Sequence, residues 1–126
     1  MVKKGPRNGQ APAGSSRKTA ATLYRVTILS YLRFSLTQEA DREDFEKDMR
    51  GMLDLAERQP GFRWAEMGPS LVDPTVYLVV SEWDHVEQVR AWEHEEEHSG
   101  VMEKWEPLYR EPLLHRRFVP WTRPSQ

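Results

Sequence analysis

The chain has 126 residues, no cysteine, five tryptophans and a formal net charge of -2, enough for one domain with a two-layer core that needs no disulfide or metal staple. The lack of cysteine excludes thiolate nucleophiles, cysteine zinc sites and iron–sulfur clusters and fits a cytoplasmic location, while the absence of a G-x-G-x-x-G or P-loop pattern argues against a flavin or nicotinamide site. Lys3, Lys4, Arg7, Arg17 and Lys18 lie within residues 1–22, so the remaining body is acidic, which disfavours nucleic acid as a partner, and no apolar run reaches membrane-spanning length.

Residues 1–22, rich in Gly, Pro, Ala and Ser, predict a disordered basic tail ahead of a domain over 23–126. A first strand is expected over Tyr24–Phe34, with Val26, Ile28, Leu32 and Phe34 on one parity and Tyr31 and Arg33 on the other. Asp41–Arg58 spaces Phe45, Met49, Met52, Leu53 and Ala56 along one helical face, and Gln59-Pro60-Gly61 stops that helix. Strands over Phe62–Met67 and Val76–Trp83, separated by Gly68-Pro69 and Asp73-Pro74, read as a hairpin. Asp84, with Glu87 three residues later, is expected to cap a helix whose buried stripe is Val86, Val89 and Trp92 and which Ser99-Gly100 interrupts. A further helix over Val101–Tyr109 and a last strand over Leu114–Phe118 complete the pattern.

The order is β-α-β-β-α-β, which predicts an α+β, ferredoxin-like fold: helices on one face of a four-stranded antiparallel sheet. The other face would be bare and partly apolar. A homodimer with sheets packed face to face, forming a dimeric α/β barrel, is the expected completion.

The junction Gln59-Pro60-Gly61-Phe62, the strand Val79-Val80-Ser81-Glu82-Trp83, and Ala91-Trp92 followed by Glu97-His98 resemble the antibiotic biosynthesis monooxygenase superfamily over roughly residues 24–120. The resemblance implies a pocket between helices and sheet for a flat aromatic or polyketide-like molecule. It implies several chemistries: oxidation of anthrone- or naphthol-type substrates by dioxygen without a cofactor, heme cleavage, reactions of quinones, and polyketide cyclisation. The expected activity is a cofactor-independent monooxygenase in natural-product biosynthesis. A cyclase or isomerase using the same pocket, and a non-catalytic small-molecule or heme-binding protein, stand as alternatives.

Cofactor-free oxygenation requires that an electron-rich phenol or enol lose a proton, so that its anion can pass an electron to dioxygen. Within the implied pocket, His98 is the candidate base, Arg33 the candidate cation beside the anion, and Trp92 the catalytic ring partner. Trp64, Tyr77, Tyr31 and Trp105 are the candidate substrate-binding residues. Arg33 reads somewhat better as an exposed charge, His98 equally as a surface residue, Trp92 and Trp105 also as core, and Tyr77 depends on strand parity.

His94-Glu95-Glu96-Glu97-His98 matches the H-E-x-x-H zinc-protease pattern, and its two histidines would share a helix face. No third ligand follows and four acids crowd the pair, so no metal site is expected. The heme-degrading branch that the chain resembles at Trp92 would need an axial histidine near Met102, where this chain has none.

Overall fold

The computed structural model describes residues 26–121. The expected tail at 1–22 and the strand start at Tyr24 lie outside the described residues. Among the described residues, every helix and strand belongs to one compact unit, Thr27–Val119.

The elements are β1 (Ile28–Ser35), α1 (Arg42–Ala56), β2 (Phe62–Pro69), β3 (Val76–Trp83), α2 (Val86–Glu93), α3 (Glu96–Trp105), a short 3-10 turn (Glu106–Leu108) and β4 (Leu114–Phe118). The four strands form one sheet in the order β2-β3-β1-β4, and every neighbouring pair is antiparallel. This is the ferredoxin-like α+β arrangement. Among the described residues, no helix is long and apolar enough to cross a membrane.

Local chemistry fixes the element ends. The Asp41 side chain accepts from the Asp44 amide at 3.1 Å and caps α1, whose first-turn acids Glu43 and Asp44 suit the positive end of the helix dipole. After α1 the chain reverses at Gly61, which holds φ at 82°, a left-handed conformation that glycine adopts without steric cost.

The second helix departs from the sequence expectation at both ends. Its N-cap is His85, not Asp84, because the Asp84 carboxylate is occupied by Arg63 at 2.7 Å while Gln88 Oε1 accepts from the His85 amide at 3.0 Å. It ends at His94–Glu95 instead of at Ser99-Gly100. Glu95 adopts an extended conformation and its carboxylate accepts from the His98 amide at 2.7 Å, so a new helix starts there. Ser99 and Gly100 lie inside α3, where one exposed glycine costs only about 1 kcal/mol.

Strand register sorts the side chains between two faces. Ser30 pairs with Ser81, Leu32 with Val79 and Phe34 with Tyr77. This parity faces the helices, where Phe34, Phe45, Tyr77 and Trp105 form the centre of the core. Phe45 is fully buried, with ring centroids 5.6, 4.9 and 5.2 Å from Phe34, Tyr77 and Trp105, distances at which tilted and edge-on aromatic pairs attract. The opposite parity, including Leu29, Tyr31, Leu78, Val80 and Leu114, forms the outer face of the sheet, which no helix of this unit covers.

Candidate functional site

A cavity of about 70 Å³ lies between the sheet and the helices. Phe62, Trp83, Trp92 and His98 line one side of it and form a continuous aromatic row. Phe62 meets Trp83 edge-on at 5.3 Å, Trp83 faces Trp92 at 6.3 Å, and Trp92 stacks on His98 at 4.0 Å with the planes 7° from parallel. Phe62 and Trp83 come from β2 and β3 and Trp92 and His98 from the neighbouring helices α2 and α3, so the packed fold assembles the whole row.

Apart from Phe34 and a few polar groups, the remaining lining is aliphatic and thioether, including Met49, Met52, Met67 and Met102. Methionine side chains are flexible and polarizable, and such a wall adapts to flat ligands. The polar groups lining the cavity are few. Ser30 and Ser81 sit opposite each other on the floor, Ser81 Oγ accepts from Trp83 Nε1 at 3.0 Å, and Glu93 and His98 complete the set.

His98 is 8 % exposed. Its Nδ1 lies 2.8 Å from the Trp92 carbonyl oxygen. A carbonyl can only accept, so Nδ1 carries the proton and Nε2 holds the lone pair. Burial lowers the His98 pKa below its ordinary value, opposed by the Trp92 carbonyl and the Glu95 and Glu93 carboxylates. The ring is therefore neutral at neutral pH, with a free basic nitrogen in an apolar setting.

Beside it, Glu93 receives Arg117 and His115 from β4, the latter with Nε2 at 3.1 Å. Burial lowers the His115 pKa, opposed by Glu93 and reinforced by Arg117 and Arg116. The strand β4 that carries Arg116, Arg117 and His115 is an edge of the sheet, and its register with Ser30 and Leu32 turns Arg117 and His115 toward the helices.

Of the seven candidate residues, His98 and Trp92 line the cavity together. Arg33 does not join them: it pairs with Leu78 and Leu114 on the outer face, is partly exposed, and lies 3.5 Å from Glu111. Tyr31 shares that parity. Trp64 is also outside, because a bulge between Phe62 and Trp64 sends two residues of equal sequence parity to opposite faces. Its Nε1 donates to Glu82 at 2.6 Å. Trp105 belongs to the core, 2 % exposed, and donates to Asp48 at 2.9 Å. Tyr77 faces the helices but lines a neighbouring chamber.

The H-E-x-x-H reading is overturned at its geometric premise. His94 is the exposed C-cap of α2 and His98 is buried within α3, so the two do not share one helix face. Among the described residues, no group of three or more His, Asp or Glu side chains is placed to hold a metal ion.

The family model for antibiotic biosynthesis monooxygenase matches residues 28–104, more than half of the chain. Among solved structures, a Nitrosomonas europaea protein whose name proposes an antibiotic biosynthesis monooxygenase superposes with a TM-score of 0.73 at 14% identity, covering 81% of this chain and 97% of that one. SnoaB, a cofactor-independent oxygenase from Streptomyces nogalater, gives 0.67 at 15% identity over 78% and 96%. Rv0793 from Mycobacterium tuberculosis gives 0.70 at 12% identity over 79% and 99%. At these identities the structural likeness is one of fold. No curated protein matches the chain in sequence. On the strength of the family match, the chain belongs to the antibiotic biosynthesis monooxygenase family.

Proposed function

We propose that this protein is a cofactor-independent monooxygenase that converts a planar aromatic or polyketide-like phenol or enol to a quinone, as a tailoring step in natural-product biosynthesis. One observation carries the reading: a neutral histidine, its tautomer fixed by the Trp92 carbonyl, lines an apolar cavity walled by tryptophan rings. Family membership and the fold likeness to a cofactor-independent oxygenase support it.

In this reading the substrate ring lies along the Trp83–Trp92–His98 row, and His98 Nε2 takes the acidic proton. The resulting anion passes an electron to dioxygen, and the radical pair recombines to a hydroperoxide at carbon. Loss of water from that hydroperoxide leaves the carbonyl. One atom of dioxygen ends in the product and the other in water, and the substrate supplies four electrons. The role of the protein is to remove the proton and hold the anion in a dry, preorganised site. Of the candidates named from sequence, His98 is the base and Trp92 the ring partner. Tyr77 belongs to an extension of the same site.

The outer sheet face completes the proposal. Leu29, Leu78, Val80 and Leu114 lie among Arg33, Arg116, Glu66 and Glu82, so one face carries apolar area and both charge signs. Such a surface is complementary to itself under a two-fold axis, and a second copy of this chain is its proposed cover.

The deciding experiment incubates purified, metal-stripped protein with 1,8-dihydroxyanthrone under isotopically labelled dioxygen and follows product mass. One labelled oxygen in the product, formed above the spontaneous rate and absent without oxygen, is the expected result. A rearranged product of unchanged composition would assign the site to a cyclase or isomerase instead.

A further inference from the structure

A second chamber of about 80 Å³ lies beside the cavity, between α1 and the β2–β3 hairpin. The two share Met49, Leu53 and Met67 as a common wall. Two of these three side chains are methionines, which change rotamer without moving the backbone. Each space is small alone. Turning the two methionines aside would join the two spaces along α1.

The far chamber has its own polar end. Tyr77 is 2 % exposed, and its hydroxyl donates to Glu46 Oε2 at 2.5 Å while accepting from Arg42 Nε at 3.3 Å. A phenol oxygen has two lone pairs, so Tyr77 keeps one acceptor site, and Glu46 keeps further lone pairs toward the chamber. Glu46 Oε1 meets Arg50 only at 3.5 Å. Desolvation and Glu46 push the Tyr77 pKa up, so its proton stays in place at neutral pH. This arrangement lines an opening, and a hydroxyl entering that opening finds acceptors already oriented.

We infer that the cavity and this chamber form a single binding slot for an elongated, linearly fused aromatic ligand whose distal hydroxyl is recognised by Glu46 and Tyr77 while its reacting end lies at His98. The inference extends the proposed function and rests on the cavity being a small-molecule site. A distal hydroxyl that satisfies Glu46 displaces water from a partly buried carboxylate, and a ligand lacking it leaves that end unpaired.

The test compares 2-hydroxyanthraquinone with 2,6-dihydroxyanthraquinone, which differ by the distal hydroxyl, using quenching of intrinsic tryptophan fluorescence. The native protein is expected to bind the dihydroxy compound at least about ten-fold more tightly. Tyr77→Phe and Glu46→Gln should each bring it to within about two-fold of the monohydroxy compound. Glu46 is only partly buried and the change to glutamine keeps its size, so E46Q keeps the test decisive should Y77F fold poorly in a melting control. Equal binding of both compounds to the native protein, or equal weakening of both by E46Q, would overturn the slot while leaving the cavity reading intact. Failure of both compounds to bind would overturn the cavity reading and the slot with it.

Discussion

The imidazole of His98 stacks on the indole of Trp92 at 4.0 Å and also reaches back to the Trp92 carbonyl at 2.8 Å. One residue thus sets both the plane and the tautomer of the candidate base, and His98→Asn tests what that arrangement does. An amide retains a donor toward the carbonyl but supplies no basic nitrogen. Turnover is expected to fall by about 100-fold or more, with stability lower by only about 1–2 kcal/mol. Turnover normalised to folded protein separates the two effects. An unchanged normalised rate would return His98 to the core.

Stability should depend on pH in three windows. His98 and His115 both have pKa values held below 6.5 by burial, so between 6.5 and those lower values the unfolded chain binds protons that the native one does not. Stability therefore falls as pH drops below about 6.5. Asp48 is lowered below 3.8, chiefly by its hydrogen bond with Lys104, so its contribution is present above that value and is lost at still lower pH. The Tyr109 hydroxyl, pushed up to about 12 by burial and Glu106, keeps its proton in the native state while the unfolded chain ionises near 10. The alkaline limb should start there. Melting temperature across pH checks all three, and H98N should flatten the one below pH 6.5.

Gly61→Ala is expected to destabilise the fold by about 1–3 kcal/mol. The backbone holds φ at 82°, and an added Cβ would fall 1.7 Å from Gln88 Oε1, the atom that caps α2 through the His85 amide. Strain at the turn and loss of the cap therefore come together. Thermal melts of G61A and of Q88A, which removes the cap alone, apportion the loss between them.

Val80 lies on the outer sheet face, in register with Tyr31 and Glu66. If two copies cover that face, Val80→Glu buries a charge against apolar side chains and should shift sedimentation from dimer to monomer while circular dichroism stays native-like. A native protein that already sediments as a 14.8 kDa monomer at micromolar concentration would refute the dimer.

The periodicities of 2.0 and 3.6 belong to the local sequence, and so the element order, the β3 span of Val76–Trp83 and the α1 core stripe, save that Leu55 and not Leu53 is buried, were readable from it. The row of Trp92 and His98 was readable as two residues of one region, because both lie between Val89 and Trp105. Their partner Trp83 was visible only as a strand residue. Three outcomes depended on contacts distant in sequence. The β2 bulge moved Trp64 to the outer face against its parity, and Arg63, the residue in the bulge, is held by Asp84 across the hairpin. That same ion pair took Asp84 away from capping, so α2 begins at His85. Glu95 turned its carboxylate onto the His98 amide and split the helix, which separated His94 from His98 and gave His98 its inward position. Side-chain pattern specifies which residues seek burial, whereas the pairing of a particular carboxylate with one donor among several is decided when the elements pack, and the candidate site is built from such pairings.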